Sequence, residues 1–176
     1  PAPAKAARAP SVIPRPHSAP GSVTRLVLHL AESNYRRSEE AWVDAGAPRA
    51  TVSLWAEGSE LFIMVDVEKR DVYFASRIDS NPLDNEHPDT NSDGVQLHVN
   101  VPGARDGGGA PRELSWLLVP ELDGNRVRVT ARAGDGAAPP LHASWERTPR
   151  GYSVRIGLER SALGGLFKTD VANANT

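Results

Sequence analysis

The sequence predicts an all-β fold, an antiparallel β-sandwich of the immunoglobulin or jelly-roll kind with about eight or more strands. Three observations point there. Short segments alternate apolar and polar residues with period two, turn residues separate most of these segments, and helical periodicity is scarce.

Residues 1–20 (PAPAKAARAPSVIPRPHSAP) hold six prolines among Ala, Arg and Lys. That composition builds no core and reads as an extended, polyproline-like tail or linker. It is either a passive spacer or a segment that docks on a partner, with Pro1, Pro10, Arg15 and Pro16 as candidate contacts. Residues 21–176 are then expected to form one domain. Within it, 23–30 (VTRLVLHL), 50–56 (ATVSLWA) and 60–67 (ELFIMVDV) read as strands, and Glu57-Gly58-Ser59 joins the last two as a tight hairpin. Segment 94–101 places Val95, Leu97 and Val99 on one face and Gln96, His98 and Asn100 on the other. Segments 113–119 and 125–131 flank the turn Leu122-Asp123-Gly124-Asn125, and 141–147 and 152–158 complete the series. Single helical turns are expected at Ser38–Trp42 and at Ser161–Leu163, the latter stopped by Gly164-Gly165. Two long polar loops, 68–93 and 102–112, remain, and loops of that length tend to carry function.

The bulk numbers bound the function. A chain of 176 residues can bury a core without staples, and none is offered by cysteine, which is absent. Thiolate metal sites, disulfides and Cys nucleophiles are excluded. A net charge of −2 argues against a nucleic-acid partner, whose phosphates reward a basic excess. No apolar run reaches the length of a membrane helix, so the chain is not expected to span a bilayer that way. The chain opens on Pro1 rather than Met, which fits either a piece cut from a larger chain or a processed, exported protein, for which the expected location is periplasmic or extracellular.

No catalytic signature is present: no nucleophile elbow, no phosphate-cradling glycine loop, no paired-histidine zinc helix. The five histidines are scattered, three of them (His29, His98, His142) in strand segments. The chain reads as a binding module rather than an enzyme. Segment 84–93 (DNEHPDTNSD) gathers Asp84, Asn85, Glu86, Asp89, Asn91 and Asp93, hard oxygen donors of the type calcium takes six to eight of. The same composition also describes an ordinary solvated turn-rich loop. If Val52, Leu54, Val95, Leu97, Val127, Val129, Val154 and Ile156 point inward, then Trp55, Gln96, His98, Asn100, Arg126, Arg128 and Arg155 point out. An aromatic ring with amides and guanidiniums suits a sugar, the ring stacking on the pyranose and the polar groups bridging its hydroxyls. It equally suits a protein partner. Trp116 is in step with Leu114 and Leu118 and belongs to the core, whereas Trp145 is a candidate second ring and Trp42 a candidate end cap. A Met64/His98 axial pair for haem is the third reading, disfavoured because Met more often fills a packing gap.

Three stretches carry a family resemblance: TVSLWAEGSELFIMVDVEKRDV (51–72), SDGVQLHVN (92–100) and RGYSVRIGLERSALG (150–164). Their order resembles carbohydrate-binding module family nine and its DOMON-like relatives, with Asp66 or Asp71, Asp93-Gly94-Val95-Gln96 and Gly151-Tyr152 through Leu163 in the family's places. The resemblance covers about two thirds of the chain. It implies a sandwich and a non-catalytic role: binding a glycan, serving as an accessory subunit of a larger extracytoplasmic, membrane-associated assembly, or holding haem for electron transfer. The chain departs from the pattern at Gln96, where the family often has an acid, and at Leu158-Glu159-Arg160, where it has neither Pro nor Trp. Sugar-binding members clamp their ligand between two rings. The ligand-binding set expected here is Trp55, Gln96, His98, Asn100, Arg126, Arg128 and Trp145.

Overall fold

The computed structural model describes residues 25–36, 40–74, 92–101, 112–132 and 138–167. The proline-rich stretch, most of the acidic segment 84–93 and the 102–111 loop lie outside them.

Among the described residues, eight antiparallel strands form two sheets. β1 (Arg25–Leu30), β2 (Arg49–Glu57), β3 (Glu60–Glu68), β8 (Gly151–Glu159) and β7 (His142–Thr148) lie in that order in a five-stranded sheet. β4 (Val95–Val101), β5 (Arg112–Pro120) and β6 (Val127–Arg132) form a three-stranded one. Each boundary falls within three residues of the sequence expectation. The β2–β3 turn is as tight as its glycine requires: Gly58 has φ +57° and Trp55 pairs with Phe62 across the hairpin. Gly124, at φ +85°, turns the chain between β5 and β6. The 3-10 segment Arg160–Phe167 includes the turn expected at Ser161–Leu163 but is not stopped by Gly164-Gly165, through which it runs, and a second, Glu32–Asn34, had no sequence signal. The turn expected at Ser38–Trp42 lies partly outside the described residues, and a turn occupies 42–46.

Both sheets contribute one face to a single apolar cluster. Leu61, Ile63 and Val65 of β3, Tyr152, Val154, Ile156 and Leu158 of β8, and Trp145 of β7 meet Leu114, Trp116 and Leu118 of β5. Leu163, just past β8, fills the cluster from the end of the chain. Each fully buried aliphatic side chain here contributes about 2 kcal/mol of transfer free energy. The indole N–H groups that this burial strands are satisfied locally, Trp116 Nε1 donating to Pro139 O (3.1 Å) and Trp145 Nε1 to Glu121 O (2.9 Å). A single bridge, Arg126 with Ser144, and the Trp145 N–H bond to Asn125 O (3.1 Å) link β6 to β7.

The sheets differ in width. The core-facing side chains of β1, namely Leu26, Leu28 and Leu30, are exposed, and Val52 and Leu54 of β2 are half-buried. Val129 shares a sheet face with Leu118 yet stays exposed, so it is not the core residue the alternation suggested. Among the described residues, no helix is long and apolar enough to cross a membrane.

Candidate functional site

The seven residues expected to hold a ligand do not converge. Gln96, His98 and Asn100 project from β4 on the outer face of the three-stranded sheet, and His98 Nδ1 lies 3.2 Å from Glu113 Oε1. Arg128 shares that face but is only 7% exposed, with Nη1 3.6 Å from Glu121 Oε1, so it does not offer the open guanidinium expected. Arg126 is exposed and sits 3.3 Å from the same carboxylate.

The two rings are elsewhere, and both are buried. Trp145 points into the core at 9% exposure, its edge against Phe74 (5.0 Å between centroids). Trp55 does point away from the core, as the alternation implied, but from the other sheet, and it is 3% exposed. Phe62 stacks on it at 5.4 Å and 22°, the Arg25 guanidinium lies 4.5 Å from its centroid, and that of Arg155 5.8 Å. Phe62 follows from the β2–β3 hairpin register, Arg25 from the β1–β2 pairing and Arg155 from β8, and together they leave no ring face for a sugar. The alternation placed the side chains on the correct faces; what it could not register was the second layer of Arg and Phe covering the outer one.

Met64 and His98 face outward from different sheets and do not face one another. Met64 Sδ accepts a hydrogen bond from Ser153 Oγ (3.1 Å). Of the six candidate calcium ligands, Asp84, Asn85, Glu86, Asp89 and Asn91 lie outside the described residues, as do Pro1, Pro10, Arg15 and Pro16 of the tail. Asp93 is committed to the protein itself. Its Oδ1 accepts from Lys69 Nζ (2.6 Å), its Oδ2 from the Tyr73 N–H (2.7 Å), and its own N–H donates to Tyr73 O (2.7 Å). It fastens the chain after β3 to the start of β4.

That clasp borders a cleft of about 540 Å³ at one end of the five-stranded sheet. Its walls come from the start of β2, the end of β3, the residues just after it and the β7–β8 hairpin. Five cationic side chains line it, Arg49, Lys69, Arg70, Arg147 and Arg150, with Glu68 as the one lining carboxylate. Pairing tempers this charge: Lys69 is held by Asp93, Arg70 by Asp71 (3.1 Å) and Arg150 by Glu68 (2.9 Å). Arg49 lies over the Trp42 ring (5.5 Å), and that ring is fixed by its own N–H bond to Pro48 O (2.9 Å). Counting all three paired carboxylates, the cleft keeps an excess of two positive charges, in Arg49 and Arg147.

Backbone contacts make the cleft floor rigid. The Lys69 N–H donates to Arg150 O (2.9 Å). Gly151 has φ +158°, and a Cβ there would lie 2.1 Å from Val67 O, so only glycine admits this approach of β8 to β3. Beneath, Tyr152 is buried against Phe74 (5.1 Å), and burial first, then the negative charge of Asp93, pushes its phenol well above the usual 10.0.

No protein-family model, curated protein or solved structure matches the chain.

The cleft escaped the sequence reading because its cations come from separate stretches, each unremarkable as a strand end. The visible signals were Glu68-Lys69-Arg70 after β3 and Arg147-Thr148-Pro149-Arg150 in the last hairpin. Only the β3–β8 pairing brings the two together.

Proposed function

We propose that the chain is a non-catalytic binding module, a sandwich of the family-nine type, and that its ligand is an acidic glycan held in the basic cleft. One observation carries this reading: five cationic side chains converge on a single cleft in a chain whose net charge is −2. Uronate carboxylates and sulfate esters are anionic at neutral pH, and an arginine fork meets them with two parallel hydrogen bonds. Arg49 and Arg147, which keep no carboxylate partner among the described residues, are the contacts of choice. The two candidate rings, Trp55 and Trp145, are both buried, which turns the expectation from stacking to charge. The sandwich arrangement is supported by the shared core cluster and the β6–β7 bridge.

Affinity electrophoresis in gels containing polygalacturonate tests this. The chain is expected to be retarded by polygalacturonate and not by a neutral polysaccharide, with the retardation fading as salt rises. Arg49→Ala and Arg147→Ala should each weaken it about tenfold, the equivalent of about 1.4 kcal/mol, while Arg126→Ala, just before β6 and outside the cleft lining, leaves it unchanged. Equal retardation by inorganic polyphosphate marks a general anion site, and no retardation by polygalacturonate refutes the proposal.

A further inference from the structure

Among the described residues β1 is a bare edge, the outermost strand of the five-stranded sheet, paired only to β2. All six of its residues are exposed, including Leu26 at 57% and Leu28 at 46%. Proteins normally blunt such an edge with charged side chains, proline or a bulge. β1 has no proline and no bulge, and its one arginine, Arg25, stands at its first residue and lies over the Trp55 ring. The free edge of the smaller sheet contrasts with it: β4 presents Gln96, His98 and Asn100 to the outside and turns its valines to the core.

We propose that this edge is the seat of a second copy of the chain, β1 pairing antiparallel with β1 across a twofold axis at Leu28 to make one continuous ten-stranded sheet. The proposal stands independently of the glycan reading. Parity comes first. In antiparallel pairing, directly opposed residues share a face, so the leucines meet leucines only in alternate registers. With Leu28 opposite Leu28, Leu26 of each copy lies opposite Leu30 of the other, and the three leucines of each strand form one uninterrupted row beside Val52 and Leu54. Charge then selects among the allowed registers. On the other face this one sets Val27 opposite His29 and Arg25 opposite Ala31. A slip to either neighbouring allowed register brings Arg25 against His29, or His29 against His29. The chain's own N-terminal stretch is a poor occupant, because Pro10, Pro14, Pro16 and Pro20 lack the N–H that a ladder needs.

The full chain has no cysteine, so a single introduced thiol is unique. Directly opposed antiparallel residues stand at a Cα separation, about 4.5–5.5 Å, that a disulfide can span. Under mild oxidation Leu28→Cys is expected to cross-link nearly quantitatively, and Leu122→Cys, in a turn and more exposed at 71% against 46%, only slowly. Light scattering on the unmodified chain should give twice the 18.9 kDa chain mass. Leu28→Lys should return it to the monomer mass with the far-ultraviolet circular dichroism unchanged. A monomer mass from micromolar to near-millimolar concentration overturns the proposal. So does a dimer that survives Leu28→Lys, or one in which Cys at 28 links no faster than Cys at 122.

Discussion

Arg25 lies over the face of Trp55, its guanidinium carbon 4.5 Å from the ring centroid. The two residues are direct cross-strand partners, so the contact joins β1 to the rest of the sheet by more than its ladder. A cation over an indole face is worth about 1 kcal/mol, more when water is excluded. Arg25→Ala should therefore lower stability by about 1 kcal/mol in urea melts and shift tryptophan emission to the red as water reaches the ring.

Two of the buried indoles, Trp55 and Trp145, predict unequal costs for the same substitution. Trp55 Nε1 is buried with no acceptor among the described residues, whereas Trp145 Nε1 is bonded to Glu121 O at 2.9 Å. Trp55→Phe removes an unsatisfied donor, which offsets the lost ring area, and should cost under about 1 kcal/mol. Trp145→Phe strands a buried carbonyl and opens a gap in the core, and should cost about 3 kcal/mol. Denaturant midpoints of the two variants, compared side by side, check the difference.

Gly151 predicts the most severe single change. Any side chain there meets Val67 O, and the approach cannot relax without parting β8 from β3. Gly151→Ala should destabilise by about 3 kcal/mol or more. The loss of glycan retardation in that variant should follow the loss of fold, seen as parallel changes in circular dichroism.

Tyr152 makes stability fall in alkali. Its phenol is raised by burial and by Asp93, so the folded chain holds the proton where the unfolded chain would release it. The resulting stability is complete below the unfolded value of 10.0 and drains away as pH climbs above it. Urea midpoints should decline from pH 10 upward in the natural chain and more gently in Tyr152→Phe. In an absorbance titration, one of the three tyrosines should ionise only as the fold opens.

Sequence periodicity located all eight strands, because a strand with one face on a core must alternate and its turns must hold residues such as Gly58 and Gly124. The same alternation sorted Trp55 from Val52 and Leu54 correctly. It failed where a face is more than inside or outside. Trp55 and Arg128 project outward and are nevertheless covered, Trp55 by Arg25 and Phe62 on the adjacent strands and Arg155 two strands away, Arg128 by a carboxylate beyond the strand end. The cleft was hidden for a related reason. Arg49 and Arg150 are remote in sequence and become neighbours only through the order β2-β3-β8, a long-range pairing that local pattern does not encode. With Trp55 known to pair with Phe62 from the two-residue turn, the covered ring was within reach of the sequence; the pairing of β3 with β8 was not.

That late pairing also orders events in time. β3 finds its second neighbour only in β8, where Glu60 meets Glu159, and the cluster is sealed by Leu163. A ribosome must therefore deliver nearly the whole described chain before β3 gains its second neighbour and the cluster is complete. Until then the nascent hairpin carries bare leucine, isoleucine and valine, the condition that recruits chaperones and favours slow, all-or-none closure over stepwise assembly.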